Sequence, residues 1–404
     1  MSKAHSIIIA GGGVGGLSTA IALAHRNIDV TLLERGKALC EVGAGIQISP
    51  NATGILKSWN VWEKMDDQAV IPPKIQIRSG TSAALLSELN VQDITKRYGS
   101  PYMVIHRADI QRALYDRARE MKKITILDYH QVQTVDQSDD GVSIICRKTN
   151  PDGSNPQELV FKADALIAAD GVWSKIRTNY MGNNSAAYSG KTAWRTTMPM
   201  QMVPEHISRH NVNLWIAPNA HLVHYPLIGG HMMNIVAIVQ EDWEEEGWNA
   251  QGDPVWLNQR FARWPKEIRH LLVERDNWLK WALCGVDPSE AWTKGKVALL
   301  GDAAHAMLPF MAQGAVMAIE DAEILARALT EVSGPPENAL AAYEKARKPR
   351  ACKVVARAQK NGEIYHMSGA MAFARNMTMR MMPKSKLLGQ FDWIYRWKPE
   401  DVSF

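Results

Sequence analysis

His221 and Tyr225 lie four residues apart in the run HLVHYP. On an alternating strand His221, Val223 and Tyr225 point to one face and His224 to the other. An imidazole and a phenol on one face can serve a hydroxylated ring together, one as base for its proton and one as hydrogen-bond partner. The same pair also fits a core histidine beside a core tyrosine, so the surrounding elements must decide.

A second set of residues binds rather than reacts. Residues Ile7 to Gly16 read IIIAGGGVGG, in which Gly11, Gly13 and Gly16 give the spacing G-x-G-x-x-G. The first glycine permits a tight turn, the second lets backbone approach a pyrophosphate, and the third lets a helix pack on the strand. The helix N-terminus then offers free amides and a dipole to the anion. The next strand, DVTLLE, ends at Glu34, where a carboxylate can accept ribose hydroxyls. Strand, helix, strand and acid in this order predict a dinucleotide site. Two later segments repeat the pattern of apolar strand, small residues and acid: ADALIAADG, with Asp170, and VALLGDAAH, with Asp302.

These residues need elements to hold them. Residues 1 to about 35 read as β-α-β, and HRADIQRALYDRARE reads as a helix with Ile110, Leu114 and Ala118 on one face. Short strands follow (ITILDY, VQTVDQ, GVSIICRK), with a turn at Asn-Pro-Asp-Gly. From about 185 to 285 the chain becomes strand-like and Trp-rich, then helical, and it returns to the first domain with VALLGDAAH. The expected organisation is an α/β nucleotide-binding domain from 1–180 plus 285–345, an inserted mixed-sheet domain at 185–285, and C-terminal helices over 346–404. Ligands bind beyond the carboxyl ends of strands in such sheets, and all three acid-bearing motifs fall there.

Composition narrows the function further. At 404 residues the chain exceeds one small core. Its net charge of +4, with no basic run interleaved with aromatics, gives no case for nucleic acid. No uncharged apolar stretch reaches about 18 residues, so no membrane span is expected. Cys40, Cys146, Cys284 and Cys352 are scattered, with no C-x-x-C, as in reduced cytoplasmic proteins. No H-E-x-x-H, Cys/His cluster or carboxylate pair suggests a metal, and no G-x-S-x-G suggests a serine nucleophile.

The ordered trio of motifs resembles the fingerprint set of the class A FAD-dependent aromatic hydroxylases, the p-hydroxybenzoate hydroxylase superfamily, from the N-terminus to about residue 350. The resemblance implies a Rossmann-like FAD-binding domain of the GR2 type, an inserted substrate domain and C-terminal helices. It implies bound FAD, with NADH or NADPH and O₂ as co-substrates. Gly11, Gly13, Gly16, Glu34 and Arg35 would hold the ADP half, and Arg107 would lie near the cofactor. Asp170-Gly171 resembles a motif shared by FAD and NAD(P)H, with Ser174 placed to cap the next helix. Asp302 resembles the residue on the ribityl chain, Pro309 the proline bordering the flavin, and Gly314 the start of a helix facing the N1–O2 edge. Gln47 resembles a position beside the flavin ring where some hydroxynicotinate-type relatives carry histidine. Trp194, Arg195, Trp215 and Met307 are candidate pocket neighbours, and His305 is either flavin-packing or structural.

The implied chemistry is reduction of FAD by NAD(P)H, addition of O₂ at flavin C4a, and transfer of OH from the hydroperoxide to an activated ring. The spacing of His221 and Tyr225 is similar to a pair in the subgroup acting on hydroxybenzoates and hydroxypyridines. The expected substrate is a small aromatic acid, such as salicylate or 3-hydroxybenzoate. The alternatives are a hydroxynicotinate or other hydroxypyridine monooxygenase, or a flavin-dependent reductase without oxygen chemistry. The expected partners are small molecules only, with the chain a monomer or homodimer.

Overall fold

The β-branched run near the N-terminus forms the strand Ser6–Ala10 inside a six-stranded sheet. The computed structural model describes residues 5–37, 45–245, 247–272 and 277–404, so Cys40 lies outside the described residues. Ile7, Ile8 and Ile9 are all buried, the mark of a parallel strand covered on both faces. Ser6–Ala10 pairs in parallel with Asp29–Leu33 on one side and Ala165–Ala168 on the other. Ile124–Leu127 and Val297–Leu299 extend the sheet, and Thr293–Lys294 ends it antiparallel. The three acid-bearing turns therefore leave the carboxyl ends of Ser6–Ala10 and Asp29–Leu33, Ala165–Ala168 and Val297–Leu299, four neighbouring strands. The helix Val14–Ala24 packs against Gly314–Glu331 and Arg107–Glu120.

The second large sheet has eight strands in the order Asn249–Gln251, Leu279–Gly285, Ala187–Pro199, Met232–Gln240, Ala220–Leu227, Val212–Ala217, Lys74–Ser79 and Leu85–Asn90. Its last two strands come from outside the expected 185–285 insert. Lys74–Ser79 pairs in parallel with Val212–Ala217, a long-range pairing that no local pattern announces. The expected boundary at 345 likewise falls inside one continuous helix, Pro336–Tyr365. That helix buries Leu340, Tyr343, Arg347, Ala351, Val354 and Ala358, a run at helical spacing that carries it through Pro349.

Alternation divides the eight-stranded sheet. Trp194, Leu222, Ile235 and Ala237 face a core shared with Leu257, Phe261, Ile268 and Trp278. On the opposite face Ala193 and Ile238 join Leu283 and Phe310, and Tyr225 belongs to the core of the cofactor half. Among the described residues no helix is long and apolar enough to cross a membrane.

Candidate active site

The first turn shows why its glycines are glycines. Gly11 has φ +110°, and a Cβ there would run into the Ala169 carbonyl. A Cβ on Gly16 would meet the Gly11 carbonyl well inside 3.0 Å, whereas a Cβ on Gly13 would meet nothing within 4 Å. The close packing at Gly16 and the open face at Gly13 are what a helix laid tightly on a strand, with a ligand over its first turn, requires. Gly13 is also the N-cap of Val14–Ala24 and supplies no side-chain acceptor, leaving the first amides for an anion. Glu34 accepts the Gly12 and Gly36 amides at 2.7 and 2.9 Å, which fixes its carboxylate at the strand end.

A cavity of about 690 Å³ runs from this turn along the carboxyl ends of the strands. Gly11, Gly13, Glu34, Arg35, Arg107, Asp170, Asp302 and Gly314 line it. Asp170 accepts the Lys175 amide through Oδ2 at 3.1 Å, while Oδ1 is buried with no partner. Burial raises its pKa above the ordinary carboxylate value. Ser174 Oγ accepts the Arg177 amide at 2.9 Å, so it does cap the following turn. Asp302 begins the short helix Asp302–His305 beside Gly314, which opens Gly314–Glu331. The Gln313 side chain at that N-cap donates to Ser49 Oγ at 2.9 Å. An open glycine turn, an orphaned Asp170 oxygen and a helix N-terminus in one cavity fit the diphosphate, hydroxyls and electron-rich ring edge of FAD.

Gly16, Gln47, Pro309, His221 and Tyr225 do not line this cavity. Gly16 acts one layer down, in packing. On the strand Gly45–Ile48, Ile46 lines the cavity and Gln47 does not. Its side chain instead accepts a hydrogen bond from the Tyr102 hydroxyl. Pro309 opens a single 3₁₀ turn, Pro309–Met311, which carries Phe310 toward His221. Met307 and Arg195 line the cavity. Trp194 and Trp215 face the other side of the sheet, stacked on Trp256 and His224.

His221 and Tyr225 do share a face, and both are almost wholly buried. Phe310 and Tyr365 stand edge-on to His221, with ring centroids at 5.2 and 5.4 Å. His221 Nδ1 lies 2.8 Å from His366 Nε2. Burial first, and then His366 and Lys191, hold the His221 pKa well below its ordinary value. Burial pushes the Tyr225 phenol far up. This pair is therefore a neutral imidazole and a neutral phenol, able to accept and donate respectively. His224 is buried on the opposite face with neither ring nitrogen partnered.

His305 is structural. Fully buried, it bonds Asp321, which also accepts Arg347 Nε at 2.8 Å. Arg347 and Arg350 both reach Glu320 at 2.7 Å, and Asn51 donates to Glu320 at 2.6 Å. The network ties the helix Gly314–Glu331 to Pro336–Tyr365.

Two residues escaped the sequence reading. Gln111, buried, donates to the Gly12 carbonyl at 2.9 Å and pins the glycine turn. Its position four residues after Arg107 on one helix was the available signal. His366 gave none, because it meets His221 from 145 positions away.

Comparison with known proteins agrees with this geometry. Residues 4–358 match the family model described as an FAD binding domain. A 3-hydroxybenzoate 6-hydroxylase of Klebsiella oxytoca is 32% identical over 402 residues, covering 99% of each chain. The 3-amino-4-hydroxybenzoate 2-monooxygenase PtmB3 of Streptomyces platensis is 30% identical, covering 98% of this chain and 97% of its own. Among solved structures, a salicylate hydroxylase substrate complex superposes with a TM-score of 0.80 at 22% identity, covering 99% and 97% of the two chains. The FAD complex of a variant of Klebsiella pneumoniae HpxO gives 0.82 at 23% identity, covering 97% and 98%. Such identities speak for the fold, and the family match for the cofactor. The chain belongs to the FAD-binding-domain family and is an FAD-dependent aromatic-ring monooxygenase of the class A flavoproteins.

Proposed function

We propose that this enzyme hydroxylates a monohydroxybenzoate, with 3-hydroxybenzoate as the leading substrate and NADH as the hydride donor. The observation that carries the reading is the pairing of His221 and Tyr225 on the cofactor-facing side of the eight-stranded sheet, with His221 held neutral. Near full-length relatives named 3-hydroxybenzoate 6-hydroxylase support the choice of substrate.

When bound, FAD supplies the activation of O₂ that side chains lack. Gly13 and the amides opening Val14–Ala24 would hold its diphosphate, Glu34 its adenosine ribose and Asp302 its ribityl chain. The first-turn amides of Gly314–Glu331, which open on the cavity, would stabilise negative charge on the bound group. His221 accepts the phenolic proton, which makes the ring electron-rich. Tyr225 stays protonated and donates a hydrogen bond to the substrate. Beside His221, Ala193, Ile238, Leu283 and Phe310 form an apolar cluster that keeps water out. A cytoplasmic setting belongs to the same reading, supported by unpaired Cys146, Cys284 and Cys352.

The test is a panel of hydroxybenzoates and hydroxypyridines, scored for hydroxylated product against released peroxide. Coupled turnover confined to hydroxypyridines, or to none of the panel, refutes the substrate assignment. His221→Ala and Tyr225→Phe should lower product formation by about 10²-fold or more with FAD affinity retained. Unchanged product formation in both variants removes the pair from the site.

A further inference from the structure

The helix Gly369–Met381 contributes nothing to the cavity and turns its apolar side to solvent. Met371, Phe373 and Met381 are 62%, 70% and 75% exposed, and Met377 is 39% exposed. These four are a third of the large apolar side chains exposed among the described residues, gathered on one helix of 13 residues. At about 100° per residue, Phe373, Met377, Met381, Ala374 and Met371 follow one another around an arc of about 160°. The remaining arc holds Arg375, Met379, Ala372 and Asn376, none of them exposed.

The helix is held in this orientation from its inner side. Arg375 is buried, and its Nη1 donates to the Ile364 and Tyr365 carbonyls at 2.7 and 2.9 Å. Those carbonyls lie in the last turn of Pro336–Tyr365, where a helix leaves its acceptors unpaired. Turning the apolar arc inward would break both bonds to the guanidinium. The fold itself therefore commits the Met and Phe side chains to solvent.

Charge and shape identify what covers them. From 357 to 390 the exposed charged residues are Arg357, Lys360, Arg380, Lys384 and Lys386 against Glu363 alone. Arg380 borders the Phe373 end of the arc, and Lys384 and Lys386 come directly after the helix. Lys384 reaches Glu88 only at 3.9 Å, and its side chain is 83% exposed. A second copy docked face to face would bring like charges together. The patch, roughly 500 Å², also falls short of the 800 Å² or so that each partner gives a stable dimer. Side chains this exposed stand out from the surface and offer a partner no groove. A bilayer needs none, because the apolar arc can enter the acyl boundary while the cations meet lipid phosphates. Thirteen residues are too few to span a bilayer and enough to lie in its interface.

We propose that Gly369–Met381 docks this enzyme on an anionic lipid surface, with Phe373, Met377 and Met381 in the acyl boundary and Arg380, Lys384 and Lys386 on the phosphates. The docking face shares no residue with the catalytic pair, so it stands or falls separately from the substrate assignment.

The experiment uses the full-length, FAD-loaded protein with vesicles of phosphatidylcholine, alone or mixed with an equal part of phosphatidylglycerol, and reads binding by co-sedimentation. Mixed vesicles should bind at least about tenfold more tightly than phosphatidylcholine, and salt at about 0.5 M should remove most of the difference. Phe373→Ser with Met377→Ser should weaken binding to mixed vesicles about tenfold or more, with the urea midpoint, FAD affinity and turnover unchanged. Lys384→Gln with Lys386→Gln should erase most of the preference for mixed vesicles. No saturable binding by the unaltered protein, or equal binding to both kinds of vesicle, overturns the proposal. So does full binding by the serine variant or an undiminished preference in the glutamine variant. A dimer that the serine substitutions dissociate assigns the face to a second copy and overturns it as well.

Discussion

Gly13 and Gly16 offer a sharp contrast within one turn. Gly13 has φ −74° and ψ −174°, a conformation open to any residue, and its missing Cβ faces empty space. Gly13→Ala should change the stability of the apoprotein by less than about 1 kcal/mol. The methyl group then stands where the diphosphate must approach, so FAD affinity should fall at least tenfold, about 1.4 kcal/mol. Gly16→Ala places its methyl inside 3.0 Å of the Gly11 carbonyl oxygen, whereas ordinary contact is 3.4–4 Å. Backbone cannot rotate away as a side chain does, so Val14–Ala24 must back off from Ser6–Ala10 by roughly 1 Å and loosen a close-packed core. The expected cost is about 3 kcal/mol of stability, roughly a hundredfold in the folding equilibrium. Urea unfolding of both apoproteins, followed by FAD titration, separates the effects. Full FAD affinity in Gly13→Ala would falsify the placement of the diphosphate on this turn. Equal destabilisation by the two substitutions would refute the packing role of Gly16.

Other perturbations probe the layers around the site. Arg347→Met leaves Asp321 and Glu320 buried with part of their positive charge removed, and should cost about 3–5 kcal/mol; an unchanged urea midpoint argues against the network. His224 has its pKa lowered to about 3 by burial and by Arg78, well below its unfolded value. Between pH 6.5 and about 3 the unfolded chain therefore binds the extra proton, so this residue's contribution to stability is lost as pH falls through that window. Replacing it by Leu should flatten the acid limb by up to about 1.4 kcal/mol per pH unit, read from urea midpoints at pH 7 and pH 5. An equally steep limb in the variant would mean that His224 titrates normally.

The cofactor half was legible because its signals are local. A glycine turn, its strand, its helix and Glu34 fall within one short stretch, and backbone sterics tie each residue type to its task. The alternation in HLVHYP likewise placed His221 and Tyr225 on one face, because side chains on a strand repeat every two residues. Tertiary structure decided what surrounds them. It recruited Lys74–Ser79 into the substrate sheet, turned Gln47 toward Tyr102, joined His305 to Asp321, and brought His366 against His221. It also left Arg195 over Trp281 without a carboxylate. Each of these depends on which distant segments share a cavity wall or a sheet edge. Packing sets that through contacts between residues far apart in the chain, and no periodicity in the sequence encodes it.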